Sequence, residues 1–183
     1  MNKVEKGTLL IAEPFMKDEN FQRSVVLICQ DQHEGAVGFI INRTLRGTIG
    51  DWVQELEGCG LPVYEGGPVG KDQMFFLHTL PEVIPGGHCV ADGMYWGGDF
   101  DALKSLVLSK QIPTGSIRFI IGYSGWDEEQ LDDELKEKSW LLAPASSRLV
   151  FHDSPQQIWK DAVKTLGTEY LPLLNYPVDP SLN

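Results

Sequence analysis

The sequence predicts a single α+β domain, and three observations carry that prediction. Its 183 residues are 42% hydrophobic and 22% charged, the composition of one ordinary globular domain. Its apolar segments are mostly short runs rich in β-branched residues, some separated by hairpin-type turns. These hairpins mix with helical patterns in no strict alternation, which argues against a doubly wound parallel sheet. A chain of this size buries roughly 70% of the surface it exposes when unfolded, enough for a core of its own.

The elements follow in order. Thr8-Leu9-Leu10-Ile11-Ala12 reads as a buried strand stopped by Pro14. Asp18 caps a single helical turn through Phe21. Ser24 to Gln30 and Ala36 to Asn42 pair as an antiparallel hairpin across His33-Glu34-Gly35. Both strands are apolar on both faces, which places them at the centre of a sheet. Thr48 and Asp51 have capping-box spacing, so a short helix runs from Asp51 to Leu56 and ends at Gly58 and Gly60. Val63 to Glu65 reads as an edge strand running into Gly66-Gly67-Pro68-Val69. Met74 to His78 is a strand. His88 to Ala91 and Met94 to Trp96 form a hairpin around Asp92-Gly93. Asp99 caps a helix carrying Phe100, Leu103, Leu106 and Val107. Ser116 to Gly122 is another buried strand.

Asp127 to Lys138 is an amphipathic helix with seven acids and two bases, and only Leu131 and Leu135 face inward. Trp140 to Leu142 is a last short strand. Ser154-Pro155-Gln156-Gln157 opens a helix whose apolar stripe is Ile158, Trp159, Ala162, Val163 and Leu166. Pro172, Pro177 and Pro180 predict an extended or mobile tail over 172–183, within one domain spanning 1–183.

Charge excludes whole classes of function. Fifteen Lys and Arg stand against 26 Asp and Glu, a net charge of −11. Such a surface repels nucleic-acid phosphates and anionic headgroups. No two basic residues are adjacent, and no segment combines helix-turn-helix spacing with a basic recognition helix. Direct nucleic-acid binding is therefore not expected. No apolar run reaches the roughly 18–20 residues of a membrane span, and the first seven residues lack the apolar core of a secretory signal. Cys29, Cys59 and Cys89 are odd in number and widely spaced, as in reduced, cytoplasmic proteins.

Several motifs come close and fail. Gly66 to Asp72 resembles a phosphate loop, but the spacing is one short, and Asp72 follows Lys71 where Ser or Thr should hold a metal. Gly122-Tyr123-Ser124-Gly125-Trp126 resembles a nucleophile elbow with Trp126 in place of the last Gly. Ser124 reads better as a turn or helix cap, with Asp127 three residues on. His33, His78, His88 and His152 form no metal-binding pair, and His88 and Cys89 point to opposite faces of one strand. No metal or cofactor is expected. Tyr95, Trp96, Trp126, Trp140 and Trp159 lack the interleaved bases of a single-strand nucleic-acid groove and read as core.

One set of segments would make a site if the fold gathers it: Gly66-Gly67-Pro68-Val69, His78, and Tyr123, Ser124 and Trp126. The glycines allow close backbone approach. His78 is the side chain there that titrates near neutral pH. Tyr123 and Trp126 offer flat surface with polar edges. The rival reading is structural: glycine turns between packed strands, Trp126 in the core, and His78 buried with both nitrogens bonded.

A family resemblance rests on further residues. Gly7 to Ala12, Pro14, Met16, Asp18, Phe21, Arg23 to Val26 and Ile28-Cys29 form one block. Glu34 to Gly38 and Ile41-Asn42-Arg43 form a second. Gly66 to Val69, Leu77-His78, Gly122 to Trp126, Gln130-Leu131, Glu134-Leu135 and Trp140 complete the set. Together they resemble the YqgE/AlgH family of bacterial proteins over residues 7 to 142. The resemblance implies a split sheet forming a barrel-like core surrounded by helices. The family is often labelled as transcriptional regulators, and the resemblance supplies no catalytic residues. Ser124 stands where Ala is common in the family, so no nucleophilic role is implied for it. Lys71-Asp72-Gln73 lacks the basic residue often found after the Asp, so no anion-binding loop is implied either.

The expected function is thus a non-enzymatic cytoplasmic binding or regulatory protein that acts through a protein partner. The alternative is a small-molecule binder or enzyme centred on His78 and the loop at 66–69. The sequence leaves the partner and the oligomeric state open.

Overall fold

Runs of β-branched and apolar residues become ten strands, and the computed structural model describes residues 4–32, 35–91 and 93–177. β1 (Thr8–Ala12), β2 (Val25–Gln32) and β3 (Gly35–Ile40) pair antiparallel in sequence order. β10 (Trp140–Pro144) lies antiparallel on the free edge of β1. β4 (Thr44–Thr48) pairs with β5 (Pro62–Glu65). β6 (Val69–His78), β7 (His88–Ala91) and β8 (Met94–Trp96) follow. The strand order is β10-β1-β2-β3-β9-β6-β8-β7.

β9 (Ile117–Trp126) is the pivot. Its first half lies parallel to β5, with Val63 opposite Phe119 and Glu65 opposite Ile121. Its last residues pair antiparallel with β3, Ala36 opposite Trp126. Its other edge carries β6. One strand therefore serves both halves of a split, curled sheet. The curl brings β7 back toward the start of β1, where a Cβ built on Gly7 would lie 2.9 Å from the Val90 carbonyl oxygen.

Alternation along the strands sends neighbouring side chains into different cores. Leu9, Ile11, Leu27, Phe39, Leu77 and Ile120 fill the inside of the curl. α5 (Pro155–Lys164) adds Ile158, Trp159, Ala162 and Val163 to that core. Leu10, Val26, Ile28 and Ile40 face the other way, onto Trp126, Trp140 and Leu131 of α3 (Glu128–Lys136). Val63, Phe76, Phe119 and Ile121 form a third core with Leu103 and Val107 of α2 (Phe100–Leu108). Each such side chain contributes about 1.5–3 kcal/mol by leaving water. Burial on both faces is why β2 and β9 read as continuous apolar runs.

Several local expectations are corrected. β5 is an interior strand between β4 and β9, because the Thr44–Thr48 strand, which carries little apolar signal, covers its outer edge. β6 begins at Val69, five residues before its apolar centre. Gly122 to Trp126 continues β9 and makes no turn, so Ser124 is no cap. Asp127 is the N-cap of α3, in a capping box with Gln130. Asp18 makes a turn, its carboxylate accepting from Asn20 N–H at 2.8 Å, and no helix follows. The expected helix after Thr48 is two pieces, α1 (Ile49–Trp52) and a 3-10 turn at Gln54–Leu56, with the Thr48–Asp51 capping box in place. A short helix α4 (Ser147–Val150) carried no sequence signal. A 3-10 helix over Thr168–Asn175 takes in 172–175 of the expected tail, and 178–183 lie outside the described residues, as do the turn residues His33, Glu34 and Asp92.

Candidate functional site

The predicted glycine segments do meet, at the split in the sheet. Gly66 follows β5 and donates to the Ile121 carbonyl at 2.8 Å. Its own carbonyl accepts from Ile40 N–H at 2.9 Å and from the Ser124 hydroxyl at 3.0 Å. β3, β5 and β9 are thus bound through one residue. Gly122 has φ +75, and a Cβ there would lie 2.8 Å from the Val69 carbonyl oxygen. Gly67 has φ +151, and a Cβ there would strike the backbone of Tyr123 and the Ser124 hydroxyl. The chain itself fills the space that the glycines leave. Pro68 and Val69 lie exposed outside the junction, and Tyr123 is half-buried with its ring edge-on to Phe75.

His78 stands apart from this junction. It pairs with Ile117, whereas Val69 pairs with Tyr123. Six residues of β9 separate those two positions, about 20 Å of strand at the usual rise. The ring is fully buried beside Tyr95. Nδ1 accepts from Leu80 N–H at 3.1 Å, so Nε2 carries the proton and donates to the Gly97 carbonyl at 3.0 Å. Burial holds its pKa below the ordinary histidine range, against the Gly97 bond that raises it. Neither nitrogen is available to a ligand or to proton transfer.

Trp126 also points away from the junction. Its indole N–H donates to Glu134 Oε2 at 2.9 Å, and the indole of Trp140 donates to the same oxygen at 2.7 Å. Phe21 stacks on Trp126 at 5.6 Å. The motif residues Trp126, Glu134 and Trp140 therefore bracket α3 onto β9 and β10. Asn42 and Arg43 brace the turn before β2: Asn42 bonds Val25 N–H and the Arg23 carbonyl, and Arg43 bonds the Asn20 and Gln22 carbonyls.

Two features escaped sequence reasoning. Arg118 is buried in β9 between apolar neighbours, bonded to the Ile41 and His152 carbonyls and stacked 4.0 Å above the Tyr64 ring. Burial pulls its pKa down to about 10, so it stays charged at neutral pH. A lone cation inside the run from Ile117 to Ile121 was the available signal. The second is a groove of about 720 Å³ beside α1. Trp52 forms its lip, 47% exposed, with its indole N–H fixed to the Arg46 carbonyl at 3.1 Å. Asp51 and Glu57 line it. Across Glu57-Gly58-Cys59-Gly60, a second groove of about 450 Å³ is bordered by Leu108, which is 58% exposed. The backbone stitches this loop to α1, Gly50 N–H to the Cys59 carbonyl and Ile49 N–H to the Leu61 carbonyl. Trp52 is not among the aromatics that read as core, and the short helical pattern around it carries no signal that its ring lies exposed.

Among the described residues no three His, Cys, Asp or Glu side chains gather into a metal-sized group, and no helix is long and apolar enough to cross a membrane.

The AlgH-like family model matches residues 9–171. A UPF0301 protein of Bacteroides fragilis is 41% identical over 179 residues, covering 97% of this chain and 91% of its own. A UPF0301 protein of Cytophaga hutchinsonii is 38% identical over 179 residues, covering 97% and 98%. The solution structure of AlgH from Pseudomonas aeruginosa is similar with a TM-score of 0.73 at 25% identity, covering 97% of this chain and 98% of that one. A crystal structure from Corynebacterium diphtheriae shares the fold with a TM-score of 0.75 at 22% identity, covering 94% and 92%.

Proposed function

The chain belongs to the AlgH-like family, and we propose that it works as a non-enzymatic binding protein that docks a basic protein partner through the Trp52 groove. The observation that carries this reading is the pinned, half-exposed Trp52. An aromatic side chain already fixed by its own hydrogen bond loses little freedom when a partner covers it, and such anchors dominate interface energies. The groove is acidic at Asp51 and Glu57. The Thr48 backbone N–H and hydroxyl both donate to the Asp51 carboxylate and hold its pKa below the usual range, so it is ionised at neutral pH. With a net charge of −11 behind it, the surface favours a partner that sets an apolar side chain among Lys or Arg.

Three thiols without disulfide partners support a reducing, cytoplasmic setting. Any regulation runs through that partner. The acidic surface argues against DNA: duplex titrated at about physiological salt should give no complex at micromolar protein, and a sequence-selective nanomolar complex would overturn this.

The test is capture from bacterial lysate by immobilised protein and by Trp52→Ala. Trp52→Ala should lose the captured partner, by at least about 2 kcal/mol in affinity, with its melting temperature unchanged. Leu171→Ala, at another exposed apolar position, should capture normally. Equal capture by Trp52→Ala overturns this reading.

A further inference from the structure

Arg23 lies in the turn before β2 with left-handed backbone, φ +55. A residue with a side chain persists there only when its surroundings fix it. Asn42 does so: its amide nitrogen donates to the Arg23 carbonyl at 2.8 Å, and its oxygen accepts from Val25 N–H at 2.8 Å. The guanidinium then stacks 4.1 Å above the Trp159 ring. That ring is itself anchored, its indole N–H donating to the Ala12 carbonyl at 2.8 Å. Backbone, side chain and aromatic platform are all held in place.

What this guanidinium grips is the chain's own C-terminal segment. Nη2 donates to the Tyr176 carbonyl at 2.7 Å and to the Pro177 carbonyl at 2.9 Å. Both acceptors are neutral. Nε, on the same edge of the guanidinium, is buried and has no hydrogen-bond partner among the described residues. Among the described residues no carboxylate lies within 4.0 Å of Arg23. The Nε–Nη2 edge of an arginine matches the two oxygens of a carboxylate, one donor to each. Here one donor meets uncharged oxygen and the other meets nothing.

The gripped segment is held by partial burial only. Thr168–Asn175 is a 3-10 helix of eight residues whose Tyr170, Leu173 and Leu174 pack half-buried on the core, with no side chain fully buried. Runs of that geometry beyond three or four residues are uncommon because their hydrogen bonds are poor. Tyr176 meets Phe15 edge-on at 4.7 Å, and both rings are exposed, 40% and 47%.

We propose that Arg23 and Trp159 form a carboxylate-binding site, occupied in the free protein by the Tyr176 and Pro177 carbonyls as an internal stand-in. A carboxylate ligand with an aromatic flank displaces this strap. Its two oxygens take Nε and Nη2, and its flank takes the place of Tyr176 against Phe15. The site does not involve Trp52, so it stands or falls apart from the partner groove.

The probe is N-acetylphenylalanine with its carboxylate free, against its amide as control and inorganic phosphate as the other oxyanion. The readout is the NMR resonance of Arg23 Nε–H in the full-length chain. Tyr176→Ala removes the strap's ring contact and leaves Arg23 intact. The acid should shift the Nε–H resonance and bind about tenfold more tightly to Tyr176→Ala than to the parent, and amide exchange over 170–176 should speed up on binding. The amide should give no shift. Arg23→Lys keeps the charge but loses the fork, so, read by amide exchange over 170–176, it should bind the acid about tenfold more weakly than the parent. Equal response to acid and amide, equal affinity of parent and Tyr176→Ala, or a phosphate shift matching that of the acid would each overturn the proposal.

Discussion

The Ser124 hydroxyl donates to the Gly66 carbonyl at 3.0 Å, from a strand position where it is fully buried. The pattern that resembles a nucleophile elbow is therefore a clasp between two strands. Its hydroxyl holds the carbonyl at which β3, β5 and β9 converge. A serine so engaged has its proton committed to a backbone oxygen and not to a base.

Substitutions at this clasp should separate by mechanism. Ser124→Ala leaves the Gly66 carbonyl its bond from Ile40 N–H, so the loss should be about 1 kcal/mol. Gly67→Ala must place a methyl group against the Tyr123 backbone at φ +151, with no flexible neighbour to yield. It should cost more than about 3 kcal/mol or fail to fold. Urea unfolding measures both. Two equal, small effects would mean that the junction is softer than its geometry.

His78 should make stability fall with acid. Its pKa in the folded protein lies below the unfolded value of about 6.5. Between the two values the unfolded chain binds more protons, so stability rises with pH there. The contribution of neutral His78 is complete above about pH 6.5 and is lost as pH falls toward the folded pKa. Protonation at Nδ1 would also break the bond from Leu80 N–H. The ring carbon resonances of His78 should stay those of the Nε2–H tautomer at pH 6. A His78 that titrates like a free imidazole would refute this.

The strands with two apolar faces were legible because burial on both sides leaves an apolar run, unbroken in Val25 to Cys29 and Phe119 to Ile121. Helices were legible where caps and periodicity coincide, as at Asp99 and Ser154. The Thr44–Thr48 strand was not, because its pairing with β5 is made by backbone and its side chains are largely outside the core. Tertiary position decided the candidate site. Gly66 and Ser124 meet as expected, but Trp126 at the end of β9 is held by Glu134 of α3, and the length of β6 puts His78 at its far end. Arg23 lay within the family block, yet its grip on residues more than 150 positions away leaves no local pattern.

The three thiols should react in order of exposure. Cys89 is exposed, Cys59 lies at the floor shared by the two grooves, and Cys29 is buried with its pKa pushed far up by desolvation. A thiol reagent such as a disulfide of nitrobenzoate should modify Cys89 quickly, Cys59 slowly and Cys29 only on unfolding. A partner seated on the Trp52 groove should protect Cys59 and leave Cys89 reactive. Rapid modification of Cys29 in the folded protein would contradict the packing inside the curled sheet.

Glu134 should be the one acid of α3 whose loss matters. The helix carries a run of acids on its solvated side, and Glu134 is the one among them that falls in the family block. In the structure Glu134 Oε2 accepts both indole N–H groups, and Oε1 accepts from Gln130 at 3.0 Å. The indole rings meet edge-to-face at 6.0 Å with Phe21 packed on both, so neither can turn its N–H to water without opening that core. Glu134→Ala strands two donors and should cost about 2–3 kcal/mol. Glu134→Gln keeps an acceptor oxygen in place but loses the charge assistance, at about 1 kcal/mol. Asp132→Ala, on the exposed side of the same helix, should stay within about 0.5 kcal/mol. Urea midpoints give the energies, and near-ultraviolet circular dichroism reports whether Trp126 and Trp140 keep their asymmetric setting. If Glu134→Ala and Asp132→Ala prove equivalent, the carboxylate is not what fastens α3, and the apolar contacts of Leu131 and Leu135 carry the helix alone.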